Sequence, residues 1–303
     1  MNSDHLPRPA TFVRAPRLAA ELGTDVVWVS EAFQETGSFK FRAAWNVVRS
    51  VPNELLITVS SGNFGQALAR AAALAGKRAI VAMPAQAARI KIEAVRGCGA
   101  EVVLVDTVHS SRAEKLAELA AAHPEAYVAS PYDDPLVIAG NASLGREIAA
   151  AEPALDAVVV PVGGGGLAAG VLLGLREAGA ASAVWGAEPL LANDAARSLR
   201  SGRIERNATE PSTLADGART PSLGRHNWEI LRSGLAGIVE IPEDAIREAV
   251  KGLFALANLK AEPTGALATA ALAVEPSRFR GLRVACVVSG GNVDPELYAA
   301  LIS

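Results

Sequence analysis

Residues 157–168 read AVVVPVGGGGLA, an apolar run followed by four consecutive glycines. An apolar run without alternation is typical of a strand buried on both faces of a parallel sheet. Glycines after such a strand let backbone N–H groups approach a ligand closely, and the helix that follows directs its positive end at an anion. The stretch therefore predicts an α/β fold with an anion site, suited to a phosphate, formed by Gly163, Gly164, Gly165 and Gly166.

The same alternation of short apolar runs and longer Ala-rich stretches extends along the chain. It predicts further strands at 26–30, 55–60, 79–83, 101–105, 183–187 and 283–288. Strands that alternate with helices in this way indicate parallel sheets with helices on both faces. The Pro/Asp-rich stretch 130–135 is a candidate crossing between two domains.

Composition narrows the classes of function. The 303 residues carry a formal net charge of -3, which provides no basic field for a nucleic-acid backbone. The sequence contains two cysteines with neither metal-ligand spacing nor a disulfide framework, so we expect a cytoplasmic protein. Without a long uninterrupted apolar run, no membrane span is predicted.

A lysine follows a Gly-Ser turn in the stretch 36–42, TGSFKFR. A solvated lysine at a helix start explains Lys40 when the stretch is taken alone. However, the helix dipole disfavours a cation there, and contact with Phe39 would bury the amine. Both effects lower the amine pKa and favour Schiff-base formation.

Two further loops follow predicted strands. The stretch 60–66, SSGNFGQ, offers hydroxyls and an amide at a positive helix end, which suits a carboxylate, although ordinary helix capping uses the same residues. Ser289 begins the stretch SGGN after the last strand, at the edge of an α/β sheet where ligands bind. A simple turn is the alternative for that loop.

The glycine run has a rival interpretation. Gly163-x-Gly165-x-x-Ala168 also fits the dinucleotide fingerprint, and Glu188 ends the next strand at about the distance of a ribose-binding acid. The run alone does not decide between the two interpretations, but a dinucleotide site leaves the other three loops unexplained.

Together, the four loops resemble fold type II pyridoxal-phosphate enzymes, especially the subgroup of serine racemases and catabolic threonine/serine dehydratases. The resemblance spans Arg8 to Asn292 with the motifs in the same order. It implies two three-layer α/β/α domains with mostly parallel sheets. The large cofactor-binding domain would comprise 1–54 and 133–303, and the small mobile domain 55–132. It also implies a homodimer.

The resemblance implies a role for each matching residue. Lys40 would bind pyridoxal 5'-phosphate and act as a base, and Ser61 matches the second acid/base of serine racemase. The cofactor would contact Phe39, Asn63 through its 3′ oxygen, the glycine loop and Leu167 through its phosphate, and Ser289 through the pyridine nitrogen. The substrate would contact Ser60, Ser61, Gly62, Asn63 and Phe64, with Glu262 lining the pocket. A Mg²⁺ or Ca²⁺ ion would bind Glu188, the Ala192 carbonyl and Asp194, although two surface acids beside a turn explain that stretch equally.

The implied activity is a dehydratase that releases a 2-oxo acid and ammonia from a β-hydroxy amino acid. The substrate would be threonine, serine, or an analogue such as hydroxyaspartate or phenylserine. Phe64 replaces the usual His of the family, which favours a narrower or more apolar pocket. A serine racemase and a β-replacement synthase are alternatives within the fold, and a non-catalytic amino-acid or nucleotide-binding protein is the alternative outside catalysis.

Overall fold

The computed structural model describes residues 7–60, 62–87, 89–106 and 111–303. Across these described ranges, the strands are β1 (Thr11–Val13), β2 (Asp25–Ser30), β3 (Leu55–Val59), β4 (Arg78–Pro84), β5 (Glu101–Val105), β6 (Tyr127–Val128), β7 (Ala157–Pro161), β8 (Ala183–Pro189), β9 (Leu235–Ile241) and β10 (Arg283–Val288). The α-helices are α1 (Pro16–Leu22), α2 (Lys40–Ser50), α3 (Asn63–Leu74), α4 (Arg89–Gly97), α5 (Arg112–Ala122), α6 (Pro135–Ala151), α7 (Gly166–Glu177), α8 (Asp194–Ser201), α9 (Arg225–Leu231), α10 (Glu243–Ala257), α11 (Pro263–Val274), α12 (Pro276–Phe279) and α13 (Pro295–Ile302).

The strands form two sheets. The larger has the order β1-β2-β10-β7-β8-β9, and only β1 runs antiparallel to its neighbour among the described strands. The smaller has the order β5-β4-β3-β6 and is parallel throughout its described pairings. The predicted mostly parallel α/β architecture is confirmed.

Each sheet is covered by helices on both faces, because successive strand residues point to opposite sides. On the larger sheet, Val26 and Trp28 pack in a cluster with residues of α10 and α11, whereas Val27 and Val29 pack in a cluster with α6 and α7. On the smaller sheet, Leu56 belongs to a cluster that includes α2 and α3 residues, and its neighbours on the strand pack against α5. Both sheets are therefore three-layered.

Helices α6 and α7 cross at very short range. A Cβ at Gly174 would lie 2.0 Å from the Ala142 oxygen, and one at Gly145 would lie 2.2 Å from the Val171 oxygen. Only glycine permits this approach, which brings α6 directly behind the glycine run.

The chain passes between the sheets twice, through α2 and through residues 129–134. Because α2 contributes Phe41 and Trp45 to the core cluster of the smaller sheet, that core extends beyond residues 55–132. The domain bounds 1–54 with 133–303, and 55–132, stay a prediction. Within the described ranges, no helix is long and apolar enough to cross a membrane.

Candidate active site

The predicted loops meet where the carboxyl ends of strands from both sheets approach the start of α2. The Phe39 amide donates to the Ser289 oxygen at 2.9 Å, and Ser38 pairs with Gly290 in an isolated bridge. The Gly291 amide donates to the Gly37 oxygen at 3.0 Å. These backbone bonds connect the residues at the start of α2, where Lys40 lies, to the loop that follows β10 and begins at Ser289.

Lys40 is the first residue of α2, as predicted, and its amine is largely withdrawn from solvent. Its Nζ donates to the Pro131 oxygen at 2.7 Å and lies 5.0 Å from the ring centroid of Phe39 and 5.7 Å from that of Phe64. Burial lowers the pKa of Lys40 to about 8, and the negative charge of Glu262 only partly opposes this shift. An amine with this pKa has a substantial neutral, nucleophilic fraction near neutral pH.

Asn63 lies in a chain of side-chain hydrogen bonds. Its Nδ2 donates to the two Glu262 carboxylate oxygens at 3.0 and 3.1 Å, and its Oδ1 accepts from Asn292 Nδ2 at 2.9 Å. Asn292 also donates to the Thr36 oxygen at 2.7 Å. The Asn63 amide is thereby held in one orientation, although its contact with the cofactor stays a prediction.

Glu262 occupies the centre of this site and is buried. Desolvation raises its pKa to about 8, with a further contribution from Asp216, while the Asn63 hydrogen bonds and the charges of Lys91 and Lys40 oppose the rise. The group therefore exchanges a proton in the physiological range, beside an amine that does the same.

The predicted substrate loop follows β3. The Ser60 hydroxyl accepts from the Gly65 amide at 3.1 Å, so it caps the first turn of α3, and Gly62 is exposed. Phe64 is buried in the apolar cluster around α2 and α3 and presents its ring to Lys40. Ser61 lies outside the described residues.

The glycine run follows β7 and leads into α7, as predicted. Gly165 has a φ of 91° and is the N-cap of α7, and Gly166 begins that helix. Gly164 and Gly166 are buried, and Leu167 anchors the loop in the apolar cluster behind it. The helix start provides unpaired backbone N–H groups, which is the arrangement that binds a phosphate.

These residues fit pyridoxal phosphate. The Ser289 hydroxyl is buried and has no hydrogen-bond partner within the described structure, so a donor or acceptor position is left for a ligand. The Ser289 backbone oxygen accepts from the Phe39 amide, one residue before Lys40, and the helix N-terminus at Gly165 supplies an anion site. When bound, the cofactor would use Lys40 for its aldehyde and the glycine loop for its phosphate.

The predicted cation ligands are brought together at the end of β8. Glu188 and Asp194 are fully buried, and Ala192 lies between them. The Glu188 carboxylate accepts from the Ala195 and Ala196 amides at 3.0 and 2.9 Å and so caps α8. This buried position leaves no access for a ribose and removes the support that Glu188 gave to a dinucleotide site.

The two carboxylates also fit a cation. Burial and repulsion by Asp194 raise the pKa of Glu188 well above its ordinary value, and burial raises that of Asp194 to about 6. Asp194 Oδ1 accepts from Asn207 Nδ2 at 2.7 Å, whereas Oδ2 is buried without a partner in the described structure. A divalent ion would satisfy this oxygen and relieve the repulsion.

Sequence reasoning missed two contributors to the site, because it gave no role to Asn292 or to the Pro131 carbonyl. It expected Glu262 to line the pocket but did not predict its hydrogen bonds to Asn63. The Glu262-Pro263 pair at the start of α11 could have indicated a helix-start carboxylate, since Pro favours the first helical position. No sequence signal identifies a backbone carbonyl as the partner of Lys40.

Comparisons with known proteins agree with this geometry. The family model described as "Pyridoxal-phosphate dependent enzyme" matches residues 4–290. An L-threo-3-hydroxyaspartate ammonia-lyase of Pseudomonas sp is 37% identical over 94% of this chain and 90% of its own length. The serine racemase of Mus musculus is 36% identical over 90% of this chain and 83% of its own length.

Solved structures of similar enzymes superpose closely on this chain. A threonine deaminase of T.th. superposes with a TM-score of 0.88 at 39% identity, covering 94% of this chain and 92% of that one. Maize serine racemase superposes with a TM-score of 0.92 at 28% identity, covering 99% and 93% respectively.

Proposed function

Because the chain belongs to the family of pyridoxal-phosphate-dependent enzymes, we propose that it is an ammonia-lyase that converts a β-hydroxy amino acid into a 2-oxo acid and ammonia. Relatives named for this reaction include the hydroxyaspartate ammonia-lyase and the threonine deaminase. The candidate substrates are therefore L-threonine, L-serine and L-threo-3-hydroxyaspartate, with phenylserine as an apolar analogue suited to the buried Phe64.

The observation that carries this proposal is the buried, unpartnered hydroxyl of Ser289, whose backbone is hydrogen-bonded to the residue before Lys40. Pyridoxal phosphate, when bound, withdraws electrons from the α-carbon of the amino acid. A neutral hydroxyl at the pyridine nitrogen supports that withdrawal less strongly than a carboxylate would. Such a site favours substrates whose β-substituent leaves soon after the α-proton, and a β-hydroxyl group meets this requirement.

The protein's own residues supply the proton transfer and the binding. Lys40 Nζ, with its lowered pKa, accepts the α-proton, and the rings of Phe39 and Phe64 keep water from the amine. Asn63 is oriented by Glu262 and Asn292, and it fixes the orientation of the bound ligand. Ser60 and the start of α3 bind the substrate carboxylate.

The test is steady-state release of 2-oxo acid and ammonia from the four hydroxy amino acids, with L-alanine as the control that lacks a leaving group. We expect equal amounts of both products from at least one hydroxy amino acid and none from L-alanine. If the purified holoenzyme turned over none of the panel, the lyase proposal would be wrong. It would also be wrong if substrate were consumed only when a thiol was added and the product were the thiol adduct.

Amino-acid racemisation is the second candidate. It is supported by the serine racemases of Schizosaccharomyces pombe and Mus musculus, at 35% and 36% identity. Ser61 would supply the second proton donor. Ser61→Ala should stop formation of D-serine from L-serine while 2-oxo acid release continues, whereas loss of both products would argue against a separate role for Ser61.

Cation binding by Glu188, Ala192 and Asp194 is a further part of the proposal, with Mg²⁺ or Ca²⁺ as the ion. It is supported by the unpartnered Asp194 oxygen. We expect the melting temperature to rise with added Mg²⁺ or Ca²⁺ and to fall with a chelator. Asp194→Asn should abolish this response, whereas Asp25→Asn, in an exposed ion pair, should keep it.

A cytoplasmic homodimer completes the proposal. The unpaired thiols of Cys98 and Cys286 are consistent with a reducing compartment. Phe254 and Leu297 are large and exposed, and Phe254 stacks edge-on against Tyr298 on the same surface, as expected for a covered face. Sedimentation of the native protein should give twice the chain mass of 31.2 kDa, and a mass of one chain would contradict the dimer.

A further inference from the structure

The crossing segment, residues 130–134, contacts both ends of the predicted cofactor site. At one end, the Pro131 oxygen accepts a hydrogen bond from Lys40 Nζ. At the other end, the ring of Tyr132 lies directly on Gly164. A Cβ added at Gly164 would come within 2.3 to 2.7 Å of three ring atoms, and one at Gly166 would lie 2.8 Å from the Tyr132 oxygen. One short segment therefore contacts the lysine and the glycine loop.

Protein atoms lie close to the position of an added Cβ at each glycine of the loop. Besides the two that meet Tyr132, a Cβ at Gly163 would lie 3.0 Å from the Ala218 Cα, and Gly165 combines its positive φ with close contact to Leu223. The absence of side chains in this loop is thus explained by surrounding protein atoms before any ligand is considered. Residues outside the glycine loop therefore fix its conformation.

Asn227 joins the loop to the crossing segment. Its Nδ2 donates to the Gly164 oxygen at 2.6 Å and to the Tyr132 oxygen at 3.0 Å, and the residue is fully buried. Asp133 reinforces this arrangement, because its carboxylate accepts from the Arg225 and His226 amides at the start of α9. Tyr132 is therefore fixed at its backbone as well as at its ring.

We propose that Tyr132 is a positioning residue for cofactor binding, whose ring holds the glycine loop in the conformation that receives the phosphate. The acting part is the ring, because the close contacts with Gly164 are made by ring carbons. The hydroxyl does not take part in them. Preorganising a binding loop raises affinity by removing the cost of ordering it when the ligand binds.

The proposal predicts a specific relation between Tyr132 and Gly164. Tyr132→Ala should weaken binding of pyridoxal phosphate about tenfold, because the loop loses its support. Gly164→Ala should weaken it about tenfold as well, because the new methyl group collides with the ring and displaces the loop. In the double variant the methyl group has room, so affinity should be no lower than in Tyr132→Ala alone.

The experiment is a titration of each apoprotein with pyridoxal phosphate, followed by absorbance and by the ³¹P resonance of the bound phosphate. Tyr132→Phe retains the ring and should match the wild type in affinity and in ³¹P shift. Gly97→Ala is the control for a glycine replacement, since a Cβ there meets no atom within 4 Å. The melting temperature of each apoprotein shows whether it folds, and Tyr132→Leu replaces Tyr132→Ala if the latter does not.

Three results would overturn the proposal: Tyr132→Ala binding as the wild type does, Tyr132→Phe losing as much affinity as Tyr132→Ala, or Gly164→Ala costing as much affinity in the Tyr132→Ala background as alone. The last result would mean that Gly164 is needed for the phosphate rather than for Tyr132. The inference rests on the cofactor of the family and not on the proposed reaction, and the titration needs no turnover.

Discussion

Lys40 and Arg42 are two cations on the first turn of the same helix, and they differ in whether a carboxylate forms a salt bridge with them. Arg42 is completely buried between two carboxylates: Glu31 accepts from it at 2.6 and 2.9 Å, and Glu147 at 2.6 and 2.8 Å. Lys40 forms no salt bridge within the described structure and donates only to a carbonyl.

The consequence is seen in the two pKa values. Burial alone would lower the pKa of Arg42, but the attraction and hydrogen bonds of Glu31 and Glu147 outweigh it and raise the pKa. For Lys40, burial prevails and the pKa falls to about 8. Arg42, a cation matched by two carboxylates, stabilises the fold. Lys40 lies two residues earlier, is unmatched by a carboxylate, and is available for chemistry.

Replacing the unmatched cation should have the largest effect. Lys40→Met should lower turnover by on the order of 10³-fold or more, since both covalent binding and the proton acceptor are lost. The free energy of unfolding of the apoprotein should rise, or fall by less than about 1 kcal/mol, because a desolvated charge is removed. Product assays and urea unfolding at pH 7 check the two parts, and a large loss of stability would contradict the contrast with Arg42.

Replacing the matched cation should act on stability. Arg42→Met should lower the free energy of unfolding by about 3–5 kcal/mol, because Glu31 and Glu147 would be left as uncompensated charges. The matched control is Arg14→Met, whose exposed pairs with Asp25 and Glu152 should contribute no more than about 0.5 kcal/mol. Similar urea midpoints for the two variants would remove the distinction.

A third effect is a pH dependence of stability that arises from Glu262. Its folded pKa of about 8 exceeds its unfolded value of 4.5, so the stability it contributes is complete below pH 4.5 and is lost as pH rises toward 8. Glu262→Gln cannot titrate, and its apoprotein should gain about 1 kcal/mol or more relative to the wild type between pH 5 and 8. The free energy of unfolding of the exposed control Glu21→Gln should vary with pH as that of the wild type does. The same variation in Glu262→Gln would contradict the raised pKa.

The strands that bear the site can be predicted from sequence because they are buried on both faces and end at glycines or hydroxyls. Gly163–Gly166, Lys40, Asn63 and Ser289 all stand out by residue type at a strand exit or helix start. Parallel strands that end at the same edge of the larger sheet bring the glycine loop and Ser289 together. Asn63 follows β3 of the smaller sheet and Lys40 begins α2, so the complete site also requires the two sheets to face each other.

The long helix α6 is not predictable in the same way, because Gly140 and Gly145 suggest a loop. The structure shows that these glycines allow close packing on α2 and α7: a Cβ at Gly140 would lie 2.6 Å from the Arg42 oxygen. The bond from Lys40 to the Pro131 carbonyl and the contact of Tyr132 with Gly164 are also beyond sequence reasoning. They depend on distances between segments about 90 and 30 residues apart, and a composition pattern does not encode such distances.

The most direct test of the central claim is reduction of the native holoenzyme with borohydride, followed by peptide mapping of the modified lysine. The account predicts that one pyridoxyl group is attached per chain, at Lys40, and that Lys40→Met carries none. A label at another lysine such as Lys91, or a native protein that never takes up the cofactor, would contradict it.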